Sequence, residues 1–115
     1  MSPGRCALAS GVFSAVGTIP VTLTFGRWDS HGKNFDLVRD HGAKLDQCLT
    51  ALVDDLEQQG MLNDVTVIAW GEFGRTPTIN TNAGRDHWPR AMWTLLAGAG
   101  VKRANLIGAT DSKGH

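Results

Sequence analysis

"FDLVRDHGAKLDQCLTALVDDLEQQG" (residues 35–60) carries leucines at 45, 49, 52 and 56, steps of four, three and four that place them on one face of a helix. Asp36 offers a candidate N-cap, and Gly60 is the residue type that ends a helix in the left-handed conformation. A helix of about five to six turns is expected from Asp36 to residue 59. The segments on either side set the fold class. "VTLTF" (21–25) is β-branched and aromatic and ends at Gly26, and "VTVIAW" (65–70) is apolar without polar alternation. Strand, helix and strand make a right-handed βαβ crossover the default connection, and continuous apolar strands belong to parallel sheets covered on both faces. The expectation is an α/β fold with a mainly parallel sheet in which 21–25 and 65–70 are adjacent or nearly so.

Outward from this core, residues 71–90 form a polar loop rich in Gly, Asn, Thr and Pro. "AMWTLLAG" (91–98) reads as a third strand and "NLIGAT" (105–110) as a short edge strand. The N-terminal stretch 1–19 reads as helical or weakly structured. One strong helix is too little cover for strands this apolar. The chain, 1–115, is therefore expected to be a single domain fragment that belongs to a larger α/β domain or relies on a partner, and to self-associate by itself.

The composition excludes several classes. Eleven basic and eleven acidic residues cancel to a formal net charge of zero, which gives no global footprint for nucleic acid. No apolar run approaches the roughly 20 residues of a membrane span, and 1–17 carries no clear signal peptide. Cys6 and Cys48 lack CxxC spacing and read as reduced thiols packed on helix faces.

The chemistry concentrates in two loops. In an open α/β sheet, loops at the carboxyl ends of strands converge on ligands. "GRWDSHGKN" (26–34) follows the first strand and "GEFGRTPTINTNAGRDHWPR" (71–90) the second. Asp29, His31, Glu72 and His87 are candidate ligands for a divalent metal, with Asp86 orienting His87, because carboxylates and imidazoles supply the O and N donors such ions take. Asn34, Arg75 and Arg85 are candidate supporting or anion-binding groups. Each also has a plainer reading: Asp29 with Ser30 and Gly32 as a turn, Glu72 as a cap or a partner of Arg75, and the two arginines as solvated loop charges. His41, on the inner side of the helix, reads as structural. The four tryptophans read mostly as packing residues, with Trp28 and Trp88 placed to wall a pocket.

"FGRWDSHGKNFD", "KLDQCLTALVDDL", "GEFGRTPTIN", "GRDHWPRAMWTLLAGAGVK" and "IGATDSKG", in that order, resemble the C-terminal half of the bacterial domain-of-unknown-function family 1501. That family is grouped with sulfatases in the alkaline-phosphatase-like superfamily. The resemblance implies a partial α/β/α sandwich, a missing first half, and an exported or periplasmic location for full-length relatives. It also implies one or two metal ions (Zn, Mn, Fe, Mg or Ca) acting on a small anionic phosphate or sulfate ester. By order, Asp29 and His31 resemble the first downstream ligand pair, Glu72 stands where an Asp-His pair usually follows a strand, and His87 resembles the last ligand histidine. Phe73 stands where a ligand histidine would be, and no nucleophile is identified in this chain. The implied function is a fragment of a metal-dependent ester hydrolase-like protein. The alternatives are a non-catalytic metal-binding or carbohydrate-associated module and an inactive truncated product.

Overall fold

A computed structural model describes residues 20–115. It contains α1 (Asn34–Gln58), β1 (Thr66–Trp70), β2 (Gly74–Arg75), β3 (His87–Trp88) and β4 (Thr94–Gly98). The helix follows the leucine spacing, but its covered seam runs through Leu45, Leu49, Val53 and Leu56 and leaves Leu52 exposed. Its C-terminus closes as expected. Gly60 is left-handed (φ 70°), its N–H donates to Glu57 O (3.0 Å), and the Met61 N–H donates to Leu56 O (2.8 Å). These are the two bonds of a Schellman ending, which occupy carbonyls the helix leaves without partners.

The N-terminus departs from expectation. Lys33, not Asp36, is the cap residue; it is left-handed (φ 49°, ψ 40°) and makes no side-chain cap bond. The Lys33 and Asn34 N–H groups donate instead to Asn82 O (3.0 Å) and Ala83 O (2.9 Å), so a distant loop satisfies them.

The sheet corrects the expected fold class. β1 pairs antiparallel with β4, Thr66 opposite Gly98 and Trp70 opposite Thr94. β2 pairs antiparallel with β3, Gly74 opposite Trp88 and Arg75 opposite His87. Residues 66–98 thus form one interrupted hairpin, an outer pair enclosing an inner pair, with residues 76–86 as its tip. Among the described residues there is one helix and there are two two-stranded antiparallel sheets, with no parallel pair and no α/β/α sandwich. Residues 21–25 form no strand, and Val21 and Leu23 are exposed. β1 pairs with 94–98 through a connection that turns back on itself, and 21–25 makes no ladder with it although the helix between them could serve as a crossover. Burial along β1 alternates, Val67 and Ala69 more covered than Thr66, Ile68 and Trp70. This is the period of a one-sided ribbon, hidden in the sequence because its outward residues are apolar too.

The strand expected at 91–98 is present as β4, while 105–110 is irregular. Cys48 is half-buried and disulfide-bonded, which corrects the reduced thiol expected there. The expectations for 1–19, Cys6 included, lie outside the described residues. No helix among the described residues is long and apolar enough to cross a membrane.

Leu56 and Val67 are the only buried hydrophobic side chains among the described residues. Ile68 lies opposite Leu96 in the ribbon, and the two are 49% and 50% exposed. Contiguous apolar surface of this kind is uncommon on soluble monomers. The isolated chain should therefore self-associate and bind a hydrophobic dye, and Ile68→Thr combined with Leu96→Thr should reduce both. Light scattering that shows a monodisperse, dye-free monomer would contradict this expectation.

Candidate metal centre

Two loops nearly fifty residues apart in sequence are joined by backbone hydrogen bonds. Besides the helix N-terminal pair, Arg85 N–H donates to Ser30 O (3.1 Å). Ser30 is buried beneath this junction and its hydroxyl donates to Asn34 Oδ1 (2.5 Å), which ties the 29–31 segment to the first residue of α1. The approach is close at Gly84, where an added Cβ would lie 2.1 Å from the carbonyl carbon and oxygen of His31. Arg75, on β2, donates through Nη2 to Trp28 O (2.9 Å) and through Nη1 to Arg85 O (3.1 Å), so one guanidinium spans both loops.

The junction brings Asp29, His31 and His87 together. One ligand atom from each falls within 4.8 Å of the others, and all three side chains are exposed. Asp29 Oδ1 lies 2.9 Å from His31 Nε2, 2.8 Å from His87 Nε2 and 3.0 Å from Arg75 Nη2. The imidazoles of His31 and His87 are 4.8 Å apart, and Phe73 stacks obliquely on His87 at 4.3 Å. His31 is held on its other side by Asp86 Oδ1, 2.6 Å from Nδ1.

This arrangement places both ring nitrogens of His31 against carboxylates. A neutral imidazole has one N–H. If Nδ1 donates to Asp86, the Nε2 lone pair meets Asp29 Oδ1, and only a proton or another cation between them makes that contact favourable. Accordingly the His31 pKa is raised above 6.5, first by its hydrogen bond to Asp86 and then by the charges of Asp29 and Asp86. Asp29 is held down to about 2 from 3.8, chiefly by its hydrogen bond with His87 and next by Arg75. Asp86 is lowered by His31 and then by Asn80.

Of the four expected ligands, the structure converges three. Glu72 sits exposed just past β1, outside the group. Asp86 meets His31 rather than the expected His87: its Oδ1 lies 2.6 Å from His31 Nδ1 while His87 Nε2 reaches Asp29, so the two neighbours flank the same imidazole. Asn34 is buried as the acceptor of Ser30, and Arg75 and Arg85 spend N–H groups on backbone carbonyls, Arg85 on Thr76 O (2.7 Å) and Pro77 O (3.0 Å). His41 packs edge-on against Trp28 at 5.3 Å, away from the group. Trp88 lines, with Thr76, Asn80, Asp86 and Lys113, an open depression of about 400 Å³ that shares Asp86 with the centre. Ser30 and Asn80 were not legible as site residues. The one sequence hint for Ser30 is that it stands between two ligand candidates.

Residues 2–115 match the profile of DUF1501, a family of proteins of unknown function, and the chain belongs to that family. No curated protein and no solved structure matches the chain.

Two predictions follow from this geometry. A lowered carboxyl stabilises the folded form above its unfolded value, and that stability is lost as pH falls through the folded value. A raised histidine stabilises below its unfolded value and is lost as pH rises through its folded value. The metal-free junction should therefore be most stable between the usual Asp29 value of 3.8 and the usual His31 value of 6.5, and weaken on both sides. Thermal melts across pH with a chelator present measure this, and a flat profile would count against the ion pairs. Separately, Gly84→Ala should destabilise the junction by about 1–3 kcal/mol through overpacking against the His31 backbone, seen as a lowered denaturation midpoint.

Proposed function

We propose that this chain is a metal-binding domain that holds a divalent cation on Asp29, His31 and His87 and offers it to a small anionic ligand of the phosphate or sulfate ester class. The observation that supports this most is the pinned His31: Asp86 fixes Nδ1, so Nε2 points at the oxygen that His87 also reaches. A cation at that point would replace the proton the contact otherwise needs. Two imidazole nitrogens and a carboxylate oxygen suit Zn, Mn or Fe better than Mg or Ca, which prefer all-oxygen shells. Three protein ligands leave coordination positions open, the pattern of sites that accept an outside ligand rather than purely structural ones. When bound, such an ion supplies Lewis-acid polarisation of an oxyanion.

Binding without ester cleavage is the reading favoured at Ser30. Ser30 is adjacent in sequence to two of the three ligand candidates, Asp29 and His31, yet its hydroxyl is buried and committed to Asn34, so it is not available as a nucleophile. Hydrolysis would require a nucleophile from elsewhere. The charge pattern gives no support for nucleic acid as a ligand.

Calorimetric titration with Zn and Mn tests the proposal. His31→Ala and His87→Ala should each weaken uptake by more than the roughly 10–100-fold typical of losing an outer partner, while His41→Ala should bind as the parent does. Binding should release protons and weaken as pH falls through the raised His31 value, because metal and proton compete for Nε2. Equal affinity in the parent and both ligand variants would rule the centre out. Turnover of an aryl phosphate or sulfate by the metal-loaded chain, abolished in His87→Ala, would instead establish the hydrolase reading.

A further inference from the structure

We infer that Asn80 is the positioning residue that aims His31, a role that rests on the metal-binding reading of the same centre. Its half-buried side chain sits inside the hairpin tip with its two ends doing different things. Oδ1 accepts from Asn82 N–H (3.0 Å) and Gly84 N–H (2.9 Å), closing the turn that presents Asn82 O and Ala83 O to the helix start. Nδ2 donates to His31 O (3.0 Å) and lies 3.3 and 3.4 Å from the two oxygens of Asp86. The amide has one possible orientation here. Its acceptor end meets two N–H donors, and its donor end meets a carbonyl and a carboxylate, so a flip would leave like groups facing each other at every contact.

The same amide nitrogen, with its two hydrogens, thus contacts the backbone of His31 and the carboxylate that holds the His31 ring. It fixes the ring at two points, Cα through the carbonyl and Nδ1 through Asp86. Outer partners of this kind set the orientation and the proton-bearing nitrogen of a ligating histidine. His87 is anchored differently, through Nε2 on Asp29 and the face of Phe73, and Asn80 touches neither. The role calls for an acceptor and a donor at opposite ends of a short, flat side chain. Aspartate supplies only the first when ionised, and alanine supplies neither.

Asn80→Asp separates the two ends. It keeps the acceptor for Asn82 and Gly84, so the turn stays closed, but it turns a second carboxylate oxygen toward Asp86 and His31 O. Asn80→Ala removes both ends and serves as the loop-opening control. In the metal-free protein at alkaline pH, ring-nitrogen NMR should find the proton of His31 on Nδ1 in the parent. In Asn80→Asp the His31 nitrogens alone should shift, with those of His87 in place and the far-UV spectrum unchanged. Zn affinity should fall by about 10–100-fold in Asn80→Asp. Unchanged His31 nitrogens, joint shifts of His31 and His87, or unchanged Zn affinity in a parent that binds Zn would each overturn the inference. If the parent takes up no Zn, the metal reading fails, and the ring-nitrogen comparison still decides whether Asn80 aims His31.

Discussion

The start of a helix needs partners for its first backbone N–H groups, and here they come from the far end of a hairpin. Lys33 and Asn34 donate to Asn82 and Ala83, where most helices use the side chain of a Ser, Thr, Asp or Asn cap. This choice carries the rest of the molecule. With no local cap, the helix has its ordered beginning only when the 76–86 tip is docked. The tip docks only because Gly84 lets its backbone come against His31. The third backbone bond, Arg85 to Ser30, then closes the junction around a buried hydroxyl. Helix, hairpin and loop 26–33 are bound together at this one place, and the little apolar core elsewhere does not replace it.

The charges at the junction are arranged around it rather than holding it. Asp29, His31 and His87 are all exposed, and exposed ion pairs are weak because water and salt screen them. Their arrangement is nevertheless specific. A single oxygen of Asp29 faces two imidazoles and a guanidinium, an excess of donors that fits a carboxylate kept ionised. Arg75 gives Asp29 one N–H and the backbone two others, so it fixes the carboxylate in place without neutralising the whole group. A second close arginine would oppose any cation at this point by repulsion.

The helix, its C-terminal glycine and the strands at 66–70 and 94–98 were legible from leucine spacing and apolar runs. The grouping of Asp29, His31 and His87 was legible because turn-rich polar loops bracket those runs. The sheet's direction was not, and one signal for it went unweighed. Between Trp70 and Thr94 the sequence has no helical period, so a parallel crossover there had nothing to run through. The segment 21–25 misled for the opposite reason: a β-branched run has strand propensity, but propensity gives no ladder without a partner, and none is present among the described residues. Asp86 and His87 show a finer limit. Adjacency suggested that one orients the other, whereas both turn to the 29–31 loop, Asp86 to His31 and His87 to Asp29, partners more than fifty residues away in sequence. Asn80 was one polar residue among many in its loop, and its importance appears only once both ends of its amide have addresses.

On the proposed metal-binding reading, these features couple ion binding to folding. His87 reaches Asp29 and His31 only from a docked tip, and the docked tip also supplies the helix with its first acceptors. Any cation that binds the assembled group and not the open loops therefore stabilises the whole junction by an amount set by its concentration relative to its dissociation constant. In its absence the backbone bonds still join the loops, and the His31 contact with Asp29 is favourable only with a proton between them, which the raised value of that ring favours. On the proposed metal-binding reading, proton and metal are alternative occupants of one contact. On that reading the first occupies the contact below the raised His31 value, and the second would suit it where the proton has left.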